Sequence, residues 1–146
     1  MKILLPLDGS DHALAAVRHA IRLIDEGLRA SFVLTNVQAP AYLYEVVMAE
    51  PDAIGRATGA AAAGALESGR ALLDLANLEY DVEPATGEPV PMLLELIERL
   101  GCDAVVMGTR GQGAVTAALL GSVSHGLGQQ AAVPVTLVRI EPATDA

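Results

Sequence analysis

The residues best suited to chemistry gather in one stretch, VVMGTRGQGAVTAALLGSVSHG, running from Val105 to Gly126. An apolar run stops at Gly108; Gly111 and Gly113 follow, and Gly121–Ser122 comes after the intervening AVTAALL. Glycine has no Cβ to block an oxyanion and tolerates positive φ. Gly108 and Gly111 can therefore turn the chain sharply and present backbone N–H groups to a phosphate. Ser122 is placed to cap a helix running to about Gln130, with its hydroxyl and amide facing the same anion. The competing reading is one continuous helix from Ala114, because Val115, Leu119, Val123 and Leu127 are spaced by four. Spacing alone leaves both open: a phosphate cradle, or small residues that let backbones pack closely.

A second candidate is Asp8, which ends the apolar run KILLPLD. It reads either as an ordinary turn residue or as a carboxylate bonding a ligand's hydroxyl groups or a metal-bound phosphate. A phosphoryl-accepting aspartate would want a second aspartate at position 10, where Ser10 stands. No G-x-x-x-x-G-K-[ST] occurs, so a P-loop with its phosphate-neutralising lysine is excluded. GQGAVT only half-matches the dinucleotide fingerprint and lacks the acidic residue expected roughly 20 positions later. His12 and His19 fall off the apolar stripe of the first helix and are read as solvated. His125 stands too near Ser124 in sequence to make a base–nucleophile pair by itself. Glu95 and Glu98 lie on the polar side of a helix. Nothing forms a catalytic triad, a carboxylate dyad or a Cys/His cluster, so no catalytic residue and no metal site built from protein ligands alone are expected.

Composition bounds the partners. The 146 residues suit one domain, and a 52% hydrophobic content supports a core without disulfide staples. That core must be aliphatic, since there is no Trp and one Phe. Net charge is −9, Lys2 is the lone lysine, and the arginines are scattered. Nucleic acid, which draws affinity from Lys/Arg clusters, is not expected as a partner on these numbers; a small anion bound by backbone N–H groups remains open. Single Cys102 excludes an internal disulfide and, beside an apolar strand, reads as an inert core thiol. The N-terminus reaches Asp8 too soon for a signal peptide, and no uncharged run approaches the roughly 20 residues of a membrane helix. A cytoplasmic protein without a membrane partner is expected.

The elements that must position these residues alternate along the chain. KILLPLD reads as a buried strand with Pro6 near its C-terminal end. Ser10 then caps a helix whose stripe is Leu14, Val17, Ile21, Ile24 and Leu28. SFVLTNV is a second strand. From Gln38 to about Gly64 the pattern breaks down, and this stretch is read as a long excursion into a helix over roughly Ala65–Leu78. EYDVEPATG supplies a third, more exposed strand. EPVPMLLELIERLG is a helix, with prolines in its first turn and Gly101 as its stop. CDAVVMG is the fourth strand; after the glycine stretch and a last helix, VPVTLVRI is the fifth, with Pro134 marking it as an edge. Gly126 and Gly128 fall inside that last helix, each costing about 1 kcal/mol relative to alanine. Strict alternation predicts a single-domain α/β fold, a parallel sheet with helices on both faces. A ligand crevice then lies beyond the carboxyl ends of the strands, at the topological switch point.

Taken together, ILLPLDGSDHALAAVRHA, VVMGTRGQGAVTAALLGSVS and AVPVTLVRI resemble the universal stress protein domain. The middle segment matches that family's ATP-binding pattern, G-x2-G-x9-G-[ST], with Gly108, Gly111, Gly121 and Ser122 in place. The resemblance spans Lys2 to Arg139; the domain is expected over residues 1–141, followed by a short tail at 142–146. It implies an open five-stranded sheet of order 3-2-1-4-5, of the adenine nucleotide alpha hydrolase-like (Rossmann-like) kind. It further implies that Pro6, Asp8 and Val37 line the adenosine end, Asp8 near the ribose. Met107 and Gly108 would flank the nucleotide, and Gly111, Gly121, Ser122 and Val123 would hold its phosphates, with Arg110 as the one cation in the motif. Mg²⁺ or Mn²⁺ would accompany ATP, and a homodimer would form through the edge strand at 133–140. The implied function is a nucleotide-responsive regulator in stress response. Its alternatives are slow ATP hydrolysis or autophosphorylation at Ser122, Ser124 or Thr109, and a nucleotide-free dimeric interaction module.

Overall fold

Successive residues of a strand point to opposite faces of a sheet, and the apolar runs of this chain supply both. In the computed structural model, which describes residues 1–38, 53–109 and 121–140 (of 53–61 the backbone alone), the elements in chain order are β1 (Lys2–Pro6), α1 (Asp11–Asp25), β2 (Ser31–Thr35), β3 (Val37–Gln38), α2 (Ala53–Leu75), β4 (Tyr80–Val82), β5 (Ala85–Thr86), α3 (Pro89–Leu100), β6 (Ala104–Gly108), α4 (Ser122–Gln130) and β7 (Val135–Val138). Ile3, Leu5, Phe32, Leu34 and Val106 face one way and pack under α1 and α2; Leu4, Val33, Val105 and Met107 face the other and pack under α3 and α4. Two aliphatic cores on two faces are what near-continuous apolar strands require.

The main sheet is five-stranded, in the order β4-β2-β1-β6-β7, and every pairing in it is parallel. This is the expected order, third, second, first, fourth, fifth. The switch point falls between β1 and β6. Two expected strands are each broken near their C-terminal ends: SFVLTNV at Asn36 and EYDVEPATG before Ala85. Their far halves, β3 and β5, pair with each other in a separate two-stranded parallel ladder.

Several expectations are corrected. The fully buried face of α1 is made by Ala13, Ala16, Val17 and Ala20, while Ile21, Ile24 and Leu28 pack only in part. Small residues let the helix axis come close to the sheet, and the larger aliphatics splay around its margin. α2 begins at Ala53, far earlier than expected; alanine is the strongest helix former, and the alanine tract extends the helix rather than interrupting it. Within it Ala62, Leu66 and Leu73 are buried, on one helical face. α3 matches its sequence signals: Pro89 opens it and Gly101 ends it at φ 65°, a conformation that favours glycine. Gly126, expected to loosen the last helix, instead seats α4 against α3: a Cβ there would lie 3.0 Å from a Val90 methyl. Cys102 is buried, as expected of a core thiol, and burial pushes its pKa up.

Candidate functional site

The C-terminal end of the sheet is shaped by where β1 stops. In β1 the odd residues pair toward β2: Ser31 N–H donates to Met1 C=O (2.9 Å) and Leu7 N–H to Thr35 C=O (2.8 Å). The even residues therefore face β6, and Pro6 is one of them. Lacking an N–H, it has nothing to donate on that side. The β1–β6 register accordingly ends at Leu4↔Val105, whereas β1–β2 continues to Pro6↔Thr35. Beyond Pro6 the chain turns off into α1 while its two neighbours run on, leaving a slot at the switch point.

Val37 stands on one side of that slot. Ala85 N–H donates to Asn36 C=O (2.9 Å) and Gly87 N–H to Gln38 C=O (2.9 Å), so residues 36 and 38 address β5. The N–H and C=O of Val37 consequently point the other way, toward the space vacated by β1. Gly108 stands opposite. Thr109 N–H donates to Val138 C=O (3.1 Å), so odd residues of β6 address β7 and Gly108 addresses the slot. A Cβ on Gly108 would meet the backbone carbon and oxygen of His12 at 2.7 Å. Gly108 is thus required for close packing, and the same approach brings the first turn of α1 to the slot.

The floor of the slot is the turn after β1. Half-buried Asp8 accepts a hydrogen bond from Ser10 N–H (2.9 Å), and Ser10 caps α1 by accepting from Ala13 N–H (3.2 Å). The turn reading of Asp8 is therefore realised, and it ties the carboxylate to the backbone just before α1. His12 departs from expectation. It is half-buried rather than solvated, and its Nδ1 is enclosed without a hydrogen-bond partner among the described residues.

The mouth of the slot is α4. Gly121 N–H donates to Thr109 C=O (2.6 Å), and buried Ser124 places Oγ 2.7 Å from the same carbonyl and 3.0 Å from Gly121 C=O. These bonds tie the N-terminus of α4 to the tip of β6. Gly121, not Ser122, occupies the N-cap, and no side chain caps the helix. Ser122 is the first helical residue, with an exposed hydroxyl. The first N–H groups of a helix have no intrahelical acceptor. Those of Ser122 and Val123 thus lie at the positive end of the helix dipole, where an anion is stabilised. Val123's side chain packs into the α3/α4-side core, and Met107 is buried in that core at 6% exposure, so it supports the slot from beneath.

Of the residues the sequence singled out, Pro6, Asp8, Val37 and Gly108 border the slot, and Gly121, Ser122 and Val123 are joined to it through Thr109. Arg110 and Gly111 lie outside the described residues. Sequence reasoning names Thr109 and Ser124 only as phosphate acceptors and gives Asn36 no role; in the structure all three hold the parts together. Thr35–Asn36, a polar pair ending an apolar strand, was a legible signal; the role of Thr109 and Ser124 depends on a contact between β6 and α4 that spacing does not show.

An open parallel sheet with a switch-point slot and a helix N-terminus at its mouth defines a Rossmann-like α/β architecture. The universal stress protein family model matches residues 1–139, and the chain belongs to that family. It is 36% identical over 141 residues to a universal stress protein of Thermus aquaticus, covering 94% of this chain and 97% of the relative. A universal stress protein solved in complex with cAMP superposes with a TM-score of 0.70 at 23% identity, covering 94% of this chain and 96% of that one. A family member from Arabidopsis thaliana, with AMP bound, superposes with a TM-score of 0.66 at 17% identity, covering 99% and 97%. The fold is the adenine nucleotide alpha hydrolase-like one of these structural neighbours.

Proposed function

We propose that the chain is an adenine-nucleotide-binding regulator whose ligand spans the switch-point slot, base toward Val37 and phosphates toward α4. The observation carrying this reading is the slot itself: Pro6 ends the β1–β6 ladder, and Val37 and Gly108 turn backbone polar groups into the vacated space. The residues present fit a nucleotide. Asp8 stands beside Pro6 where a ribose hydroxyl would need an acceptor, and the N–H groups of Ser122 and Val123 suit phosphate oxygens. Arg110 and Gly111 complete the phosphate set in this reading. The ligand's adenylate identity is supported by the relatives with bound cAMP and AMP; the choice of ATP rests on the glycine–serine pattern. Among the described residues no cluster of His, Cys, Asp or Glu could hold a metal ion, so Mg²⁺ or Mn²⁺ would ride on the phosphates.

The protein would act as a cytoplasmic homodimer in stress response. β7 is an edge strand with half-exposed valines, and Ile140 just beyond it is 42% exposed; such an edge calls for cover. Among the described residues no helix is long and apolar enough to cross a membrane. Catalysis is not required. If ATP is hydrolysed slowly or transferred to the protein, Ser122 is the acceptor to test, because Thr109 and Ser124 are buried. Isothermal titration with ATP and Mg²⁺ tests the main reading: saturable binding is expected, and no heat of binding to the intact protein contradicts it. Labelled ATP with wild type and Ser122→Ala separates binding from phosphorylation.

A further inference from the structure

Asn36 is 4% exposed, and each polar group recorded for its side chain is engaged. Its Nδ2 donates to Leu7 C=O at 2.8 Å, and its Oδ1 accepts from Gln38 Nε2. The first bond occupies a particular place in the sheet. Leu7 N–H donates to Thr35 C=O, and in a continued parallel ladder the next rung would be Val37 N–H to Leu7 C=O. Asn36 has taken that acceptor. A carbonyl can only accept, so the amide nitrogen must face it. The other end of the amide is locked by Gln38. Leu7 C=O is thereby satisfied, as a buried carbonyl must be, and the ladder ends without drawing Val37 into it.

We propose that Asn36 is a positioning residue that keeps the Val37 N–H and C=O available to the slot and so sets its preference for adenine over bases with a 6-carbonyl. The proposal rests on the adenylate reading above. A strand residue presents its N–H and C=O side by side on one edge. Adenine's Watson–Crick edge offers N1 as acceptor beside the N6 amino donor, which complements that pair. Hypoxanthine offers a carbonyl at position 6 and an N–H at N1, so donor and acceptor are exchanged. With the ribose and phosphates fixed, an exchanged edge sets donor against donor and acceptor against acceptor. Polar groups left unmatched in this way are what make hydrogen-bonding pockets selective.

AMP and IMP differ by this exchange and are the probes. Wild type is expected to prefer AMP, and its Val37 amide to exchange readily with solvent. Asn36→Leu keeps the branched outline and the number of side-chain heavy atoms but removes the donor. Its Val37 N–H should then take Leu7 C=O and become protected in ¹⁵N-resolved hydrogen exchange, while the AMP:IMP preference falls roughly tenfold, the worth of about one neutral hydrogen bond. Gln38→Met frees only the far end of the amide and should shift both readouts less, in the same direction; it carries the test if circular dichroism shows Asn36→Leu unfolded. General destabilisation would weaken AMP and IMP alike, so an unchanged preference in a folded variant overturns the proposal, as does equal wild-type affinity for the two. If wild type binds neither, the adenylate reading falls and the base preference with it. The Val37 exchange rate separates the two failures: a Val37 amide that stays unprotected in Asn36→Leu sinks the ladder argument whatever binds.

Discussion

The two ends of the sheet are built on opposite principles. At the amino end every recorded group is tied down. Lys2 N–H donates to Asp103 (2.8 Å), Lys2 Nζ donates to Leu100 C=O (3.0 Å) at the end of α3, and Asp103 N–H returns a bond to Lys2 C=O (2.7 Å). At the carboxyl end the same strands part company. Pro6 breaks one ladder, Asn36 interrupts another, and backbone groups are turned into a gap. The difference teaches that an opening in a parallel sheet is made by substituting for ladder bonds, not by weakening packing, since Leu5, Leu34 and Val105 beside it are fully buried.

The contrast can be broken most severely at Gly108. Gly108→Ala forces a Cβ against the His12 backbone, which cannot yield as a side-chain tip can. Overpacking of this kind costs about 1–3 kcal/mol. A melting temperature lowered by several degrees is expected, together with loss of nucleotide binding, because α1 must shift away from the slot. At the opposite end, Lys2→Met removes the bond to Leu100 C=O. Chemical denaturation should show a loss of about 1 kcal/mol, and titration should show unchanged nucleotide affinity. Altered affinity in that variant would mean that the two ends are coupled.

Within α4 the comparison narrows to two glycines. Nothing surrounds a Cβ at Gly128, whereas one at Gly126 meets Val90 at 3.0 Å. Gly128→Ala should stabilise the protein by up to about 1 kcal/mol through helix propensity, and Gly126→Ala by less, both read from denaturant midpoints. The smallest effect belongs to Cys102. Burial pushes its pKa above the usual thiol range, so the thiol stays neutral in the folded state when it would ionise in the unfolded one. That contribution to stability is complete below about pH 9 and is lost as pH rises through the folded pKa. A stability–pH profile of Cys102→Ala should therefore fall less above pH 9 than that of wild type.

Much of this was legible in the sequence, and for physical reasons. Strand and helix periodicity gave the order of elements, because apolar runs have to be covered on both faces. Pro6 and Pro134 stood where a missing N–H had to be accommodated. Gly101 marked the stop of α3. The sequence was least legible where two distant segments meet. The cap of α4 passes to Gly121 because its N–H is claimed by Thr109, which displaces Ser122 by one position. His12 is drawn inward because Gly108 admits α1, a contact no helical wheel contains. The role of Asn36 depends on the parity of two ladders at once. α2 starts at Ala53, well before the expected Ala65, because the alanine tract carries helix propensity without an amphipathic period to reveal it.

The central claim, that the carboxyl end of the sheet and not its amino end receives an adenine nucleotide, is tested most directly by titrating ¹⁵N-labelled protein with AMP and following its amide resonances. Progressive, saturable shifts are predicted at Val37, Gly108, Ser122 and Val123, with Lys2, Cys102 and Asp103 unmoved. Saturation with no change at those four amides, or with the changes gathered around Lys2 and Asp103, would contradict it.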